Sequence, residues 1–326
     1  MKILHISALP LVLVASPVLA QSTTQTANTD QYPDIILTTR VQRDDTITVV
    51  ATGNRQPLNQ TGQSISVIGA AEIASIQGPD ITRILTRLPG VSVARSGPLG
   101  SQTSLFVRGG NSEQLLVLVD GVRVNDVAAP SGGYDFGGLL SGGIGKVELL
   151  RGSNSVVWGS DAISGVVAIT SREMNGAEAS VEYGNHHAVD GNISAGVNRD
   201  GYALTLNGGY TSTGGISAAA IGTEADGFHQ WHLSARGRLR LADSVDLVAT
   251  GRYATSKLDI DGYPAPFYSF ADTPEYQTSK QASGRVGLVY KGDNLTLNGG
   301  VALSDMRRAY FDPTFGTAPN YTTNGR

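Results

Sequence analysis

The stretch from Gln230 to Leu241 alternates strictly between polar residues and residues that are apolar or glycine. Every second position from Trp231 to Leu241 is apolar or glycine, and the positions between carry Gln, His, Ser and Arg. Successive side chains of a strand point to opposite faces, so this strand has one apolar face and one cationic face. Strands of outer-membrane barrels turn apolar residues to lipid and polar residues to the interior. The stretch is therefore predicted to be a membrane barrel strand.

The same alternation recurs in four other stretches, and tyrosines stand at the ends of several of them. The stretches are 202–210, 245–253, 282–290 and 295–303. Tyrosine at strand ends is typical of the aromatic girdles at the two membrane interfaces. The alternative is a soluble β-sandwich, but small or cationic inner faces would leave such a sandwich without a core.

The connections between these strands alternate in length, which indicates their sidedness. Tight turns are predicted at 198–201, 242–244 and 292–294, and long loops at 214–225 and 257–277, with another loop beginning at 309–326. Outer-membrane barrels have short periplasmic turns and long extracellular loops. We therefore expect the long loops to lie together outside the cell.

The N-terminal region has the features of an exported protein. Residues 1–20 are predicted to be a signal peptide, because Lys2 precedes an apolar stretch and small residues precede a cleavage site at Ala20. Residues 21–44 are polar and are predicted to be a flexible leader. The β-prone run 45–51 follows, with no obvious partner strand in its own chain. By composition it is an edge strand of the next domain, or it donates its backbone to another protein's sheet.

Composition and motifs exclude several functions. The chain has no cysteine, which excludes disulfides, zinc–thiolate sites and thiol catalysis. A net charge of −4 argues against a nucleic-acid surface. The sequence has neither a G-x-S-x-G elbow nor a phosphate loop. We therefore do not expect an enzyme.

Residues 55–172 differ from the barrel stretches and predict a mixed α/β domain. A helix is expected at 81–88, ended by Pro89-Gly90. The apolar run 115–119 predicts a buried strand, and Asp120-Gly121 predicts a hairpin turn after it. Further strands are expected at 147–150 and 165–170.

Several motifs of this domain resemble the plug of TonB-dependent outer-membrane receptors, in order and spacing. They are LPGV at 88–91, FVRG at 106–109, VLVDGVR at 117–123, VELLRG at 147–152 and WGSDAISGVV at 158–167. The resemblance implies an α/β plug domain at 55–172, followed by antiparallel transmembrane β-barrel strands at 173–326. In such receptors a barrel of about 22 strands encloses the plug.

The same resemblance assigns the run 45–51 to the TonB box, the segment that pairs with the energy-coupling protein TonB. The implied residues are Asp45, Thr46, Ile47, Thr48, Val49, Val50 and Ala51. Residues 173–326 provide about seven strands of roughly 10 residues with their loops. Seven strands cannot close around a plug, so we expect an N-terminal fragment or a truncated gene.

The cobalamin receptors are the branch of the family that the chain resembles most. Their calcium-bearing outer loops imply a metal site made by Glu224, Asp226, Asp261 and Asp272. Carboxylates on two neighbouring loops suit calcium, which takes several hard oxygen ligands. The chain departs from the family at 214–217, where Gly-Gly-Ile-Ser replaces a stretch with an aspartate. The alternative is that these acids are solvated loop residues.

Ligand contacts in this family come from the outer loops and from the plug's apical loops, which correspond here to 95–102 and 129–134. The implied ligand-binding residues are Arg95, Ser96, Gly97, Ser101, Ser131, Gly132 and Tyr134. As loop compositions these stretches are equally consistent with plain turns. The expected function is TonB-dependent uptake of a bulky scarce nutrient, foremost cobalamin. The alternatives are a ferric siderophore receptor and, in another class, a passive porin or adhesin.

Overall fold

The computed structural model describes residues 47–48, 56–124, 132–220, 222 and 224–325. The predicted signal peptide and leader lie outside the described residues, as do Ser131 and all of the predicted TonB box except Ile47 and Thr48. The described residues belong to one compact unit.

The N-terminal half of the described chain forms the predicted α/β domain. Its strands are β1 Ile47–Thr48, β2 Gln56–Pro57, β3 Ile65–Gly69, β4 Val91–Arg95, β5 Thr103–Val107, β6 Leu115–Val119, β7 Val122–Arg123, β8 Ile144–Arg151 and β9 Gly165–Ser171. Its helices are α1 Ala70–Ala74, α2 Thr82–Leu85 and α3 Ser155–Trp158. Strands β3, β8, β9, β6 and β7 form one sheet in that order, and β4 pairs with β5 in a separate hairpin.

The core of this plug domain follows the predicted apolar runs. All five residues of β6 are buried, as expected for a continuous apolar strand. Asp120 and Gly121 both have positive φ, 52° and 77°, which is the conformation that a two-residue hairpin needs. This turn lets β7 pair with β6, with Val119 opposite Val122.

The predicted helix 81–88 is shorter in the structure and ends at Leu85. The amides of Arg87 and Leu88 donate to the carbonyls three residues earlier, at 3.1 Å each. The chain therefore tightens into single turns before Pro89-Gly90, where the helix was predicted to end.

The C-terminal half is an antiparallel sheet of eight strands in sequence order. The strands are β10 Gly176–Gly184, β11 Ala188–Asn198, β12 Tyr202–Thr213, β13 Phe228–Ala242, β14 Val245–Asp259, β15 Tyr276–Lys291, β16 Thr296–Phe311 and β17 Tyr321–Gly325. The sheet has eight strands where about seven were expected. The first hairpin turns within residues 185–187, where His186 and His187 adopt φ of 57° and 55°, so two strands fit into a short segment.

The predicted loop pattern is confirmed at both ends of the sheet. Short turns join strands at 199–201, 243–244 and 292–295, and long loops join them at 214–227, 260–275 and 312–320. Because the strands are antiparallel, the long loops lie at one end and these short turns at the other. Among the described residues, no helix is long and apolar enough to cross a membrane.

The two faces of β13 differ as its alternation predicts. Leu233 and Leu239 are 58% and 47% exposed, whereas His232 and Ser234 are 5% and 3% exposed. The apolar face is therefore free on the outside of the sheet, and the polar face is covered by the plug.

The plug packs against the polar face through charged and polar contacts. Arg236 of β13 donates to Asp120 in the plug hairpin turn at 3.2 Å and to Glu173 at 2.8 Å. Arg308 of β16 donates to plug Asp135 at 3.0 Å, with both side chains almost buried. Arg236 was predicted to face the interior of the barrel, and in the structure it does so and binds the plug.

Candidate functional site

The first predicted ligand loop, 95–102, is the tip of the β4–β5 hairpin at the long-loop end of the molecule. Arg95 and Thr103 are its last paired residues, and the amide of Ser96 donates to the carbonyl of Gln102 at 3.1 Å. Ser96 is exposed and Gly97 is half-buried. These two residues are therefore accessible at the tip of the hairpin.

Three of the predicted ligand residues point inward in the structure, and their role as ligand contacts stays a prediction. Arg95 pairs with Asp80 of the plug at 2.8 Å, because its guanidinium finds a carboxylate beneath the hairpin. Ser101 is only 6% exposed. Tyr134 is 5% exposed and packs edge-on against Phe136 at 5.0 Å in the plug core. Gly132 remains half-exposed.

The predicted metal residues on two different loops are brought together. Ser217 and Ala219 of the loop 214–227 approach Asp261 of the loop 260–275: the Ser217 hydroxyl donates to Oδ2 at 3.3 Å and the Ala219 amide at 2.7 Å. The same hydroxyl donates to Oδ1 of Asp272 at 2.9 Å. Asp226 accepts from the Ala218 amide at 2.7 Å.

We call Glu224, Asp226, Asp261 and Asp272 the acid cluster. Burial, together with the charges of Asp261 and Glu224, raises the pKa of Asp226 to about 6. The pKa of Glu224 is also raised, by burial and by Asp261 and Asp272 nearby. The carboxylates therefore repel one another, and hydrogen bonds from backbone amides and from the Ser217 hydroxyl offset part of this repulsion.

Ser217 lies at the centre of the contacts, in the stretch where the family pattern has an aspartate. Sequence reasoning treated this stretch only as a missing ligand. No pattern in a single sequence indicates that a serine hydroxyl will hydrogen-bond to two carboxylates of another loop. The oxygen donors present are of the type that calcium takes, although no group of acids and histidines among the described residues is arranged closely enough to hold a metal.

The acid cluster adjoins the plug through Phe228, the first residue of β13. Phe228 is 2% exposed and packs with Leu140 of the plug and Leu258 of β14, with Leu99 and Ile260 at the margin. The apical loop and the outer loops therefore share one small apolar contact. The sequence did not reveal this role, because nothing in it distinguishes Phe228 from the other residues of the predicted strand.

The described part of the predicted TonB box pairs with its own chain. Ile47 lies opposite Pro57 and Thr48 opposite Gln56 in an antiparallel pair. The expectation that this run has no partner in its own chain is wrong. A neighbouring segment of the same chain therefore supplies backbone groups that pair with Ile47 and Thr48.

Comparison with known proteins identifies the domain. Residues 57–166 match the family model described as the TonB-dependent receptor plug domain. Residues 57–166 are a plug of this family. The matched domain and the antiparallel sheet that follows it agree with the resemblance found in the sequence.

The chain is similar over 180 residues to the vitamin B12 transporter BtuB of Vibrio vulnificus strain CMCP6, with 37% identity. The match covers 54% of this chain and 29% of that transporter, so the chain spans less than a third of the relative's length. Such relatives are transporters and receptors and not enzymes.

Solved structures share the fold at low identity. The alcaligin outer membrane receptor FauA of Bordetella pertussis matches with a TM-score of 0.64 and 19% identity, over 82% of this chain and 43% of that one. The ferric-catecholate import receptor Fiu of E. coli K12 matches with a TM-score of 0.62 and 17% identity, over 78% and 40%. At these identities the likeness shows the fold alone.

Proposed function

We propose that this receptor takes up cobalamin across the outer membrane, with TonB as its energy source. The observation that carries the proposal is a plug of the TonB-dependent family in a chain that is 37% identical, over 180 residues, to a vitamin B12 transporter. Ligand binds at the outer end, on the apical loop around Ser96 and Gly97 and on the long loops. The plug, held by Arg236 and Arg308, blocks the interior until it is moved.

Coupling to TonB proceeds through residues 45–51. Because part of this run pairs with Gln56 and Pro57, TonB must take over its backbone hydrogen bonds by strand addition. An extended segment suits this role, since main-chain hydrogen bonds supply the affinity whatever the side chains.

The acid cluster is proposed to bind calcium. Two carboxylates of the loop 260–275 already converge on Ser217 of the loop 214–227, and hard oxygen donors match the preference of this ion. A bound calcium ion would supply positive charge that offsets the repulsion among these acids. Glu224, Asp226, Asp261 and Asp272 would have to close around the ion, since no such group among the described residues is arranged to hold a metal as it stands.

A ferric siderophore receptor is the second candidate, because the solved structures with this fold include siderophore receptors. Titration of the receptor with cyanocobalamin and with ferric siderophores separates the two. We expect cyanocobalamin to bind. Binding of a ferric siderophore without binding of cobalamin would refute the cobalamin proposal and leave only the receptor class.

The calcium proposal has its own matched test. Calcium should strengthen ligand binding in the wild type and not in Asp261→Asn or Asp272→Asn. Asp293→Asn, an exposed aspartate in a turn at the opposite end of the sheet, should keep the calcium response. An equal response in all four proteins would show that these acids do not bind the ion.

A further inference from the structure

The side chain of Arg95 lies beneath the apical loop instead of on its surface. Its two terminal nitrogens donate to the two carboxylate oxygens of Asp80 at 2.8 Å each, and Nε donates to Oγ1 of Thr103 at 3.1 Å. The side chains of Arg95 and Asp80 are 22% and 20% exposed. A forked pair of this kind is directional as well as strong, since two parallel hydrogen bonds fix the plane of the guanidinium.

Asp80 is itself held in place by the start of α2. Its Oδ1 accepts from the amide of Thr82 at 2.9 Å and from the Thr82 hydroxyl at 2.7 Å. The carbonyl of the preceding Pro79 accepts from the amide of Ser141 at 2.8 Å. The amide of Gly78 donates to Glu182 of β10 at 2.8 Å. The carboxylate that receives Arg95 is therefore fixed to both the plug and the barrel wall.

The opposite strand of the hairpin is fixed by a second charged contact. The amide of Thr103 donates to Oδ1 of Asp135 at 2.9 Å, and Oδ2 of Asp135 accepts from Arg308 of β16 at 3.0 Å. Arg95 and Thr103 are opposite one another at the base of the loop. Each side of the loop base is thus attached to a carboxylate that is anchored elsewhere.

We propose that Arg95 is a positioning residue for ligand binding. It does not touch the ligand, and its pairing with Asp80 sets the orientation in which Ser96 and Gly97 are presented. This proposal rests on the proposed function, because it takes the apical loop as the ligand-binding face.

The test is a double-mutant cycle in the receptor that carries this chain, with cyanocobalamin as the ligand. Arg95→Gln and Asp80→Asn should each raise the dissociation constant about tenfold, which corresponds to ~1.4 kcal/mol. The double variant should be no worse than either single one, because both remove the same contact. Arg95→Lys should recover little of the affinity, since an ammonium cannot replace the fork.

Arg87→Gln is the matched control. Arg87 pairs with Glu72 at 3.5 Å on the exposed plug surface, with side chains 50% and 47% exposed, and its loss should leave the affinity unchanged. A loss of affinity in Arg95→Gln with none in Asp80→Asn would mean that Arg95 contacts the ligand directly. Normal affinity in both variants would equally overturn the proposal.

A second readout needs no ligand. This chain has no cysteine, so once any cysteine elsewhere in the receptor is replaced, a spin label on Ser96→Cys reports the loop alone. Its mobility should rise in Arg95→Gln and Asp80→Asn, while a label on Ser153→Cys elsewhere in the plug should not respond. Unchanged mobility at Ser96 would refute the positioning role. A wild-type receptor that binds no cobalamin would refute the proposed function and leave this readout valid.

Discussion

Substitution of Gly100 by alanine tests how the plug is seated against the barrel wall. Gly100 lies in the apical loop with φ of +92°, and a β-carbon there would overlap the ring of Phe228. The ring is 2% exposed and is enclosed by Leu140 and Leu258, so it cannot turn away into solvent. Alanine must therefore strain the backbone and also displace a buried ring.

The expected magnitude has two parts. A left-handed backbone at a residue with a β-carbon costs about 1–2 kcal/mol, and forcing extra volume into a packed contact costs about 1–3 kcal/mol. Gly109→Ala is the matched control, because Gly109 has φ of +77° and no atom within 4 Å of the added carbon. The difference between the two variants should therefore be about 1–3 kcal/mol, the contribution of the ring contact.

Urea unfolding of the plug in the detergent-solubilised receptor measures this difference, with a fluorophore on Ser153→Cys as the reporter. Phe228→Ala on its own should destabilise the plug, since a buried apolar contact is lost. In the Phe228→Ala background, Gly100→Ala should cost no more than Gly109→Ala does. Equal effects of the two glycine substitutions in the wild-type background would refute the argument that Phe228 fills the space above Gly100.

Three other predictions concern coupling, membrane orientation and pH. Val49→Pro should stop cobalamin uptake and leave binding intact, because proline removes an N–H needed for strand pairing; uptake at the wild-type rate would contradict this. Leu239→Arg should make membrane insertion less favourable, by about 2–4 kcal/mol if the residue lies at mid-depth; heat-modifiable migration on a gel measures this insertion. Arg236→Ser should insert normally and loosen the plug, which protease access to the plug measures. Burial opposes ionisation of Asp80, but hydrogen bonds from Arg95 and Thr82 outweigh it and lower the pKa below 3.8. The stability that Asp80 contributes is therefore present above about pH 4 and is lost as pH falls through its lowered pKa, so urea midpoints of Asp80→Asn and wild type should converge in acid.

The sequence alone determined the fold class, because the signals for it are local. The alternation in β13 fixes which side chains share a face, and the structure has Leu233 outward and His232 inward. The turn at Asp120-Gly121 and the buried strand β6 were predicted for the same reason, since turn chemistry and apolar runs act over a few residues. Where local signals were weak, the bounds of an element differ: α2 ends at Leu85, three residues before its predicted end.

Which side chains of the two loops turn inward was decided only by the tertiary structure. Arg95 and Tyr134 occupy loops that match the family's binding loops, yet one pairs with Asp80 and the other packs against Phe136. Their partners are 15 and 2 residues away in sequence, and nothing in the composition of a loop states which side chains turn inward. The orientation follows from which carboxylate or apolar pocket lies beneath the loop after folding.

The contacts that join the two domains depend even more on long-range structure. Arg236 and Asp120 are 116 residues apart, and Ser217 and Asp272 are 55 apart. The alternation predicted that Arg236 faces the interior, and the family pattern named Asp272, but neither identified the partner. A periodic pattern determines the face on which a residue lies, whereas the pairing of charges across two domains is determined only when the plug is packed inside the wall.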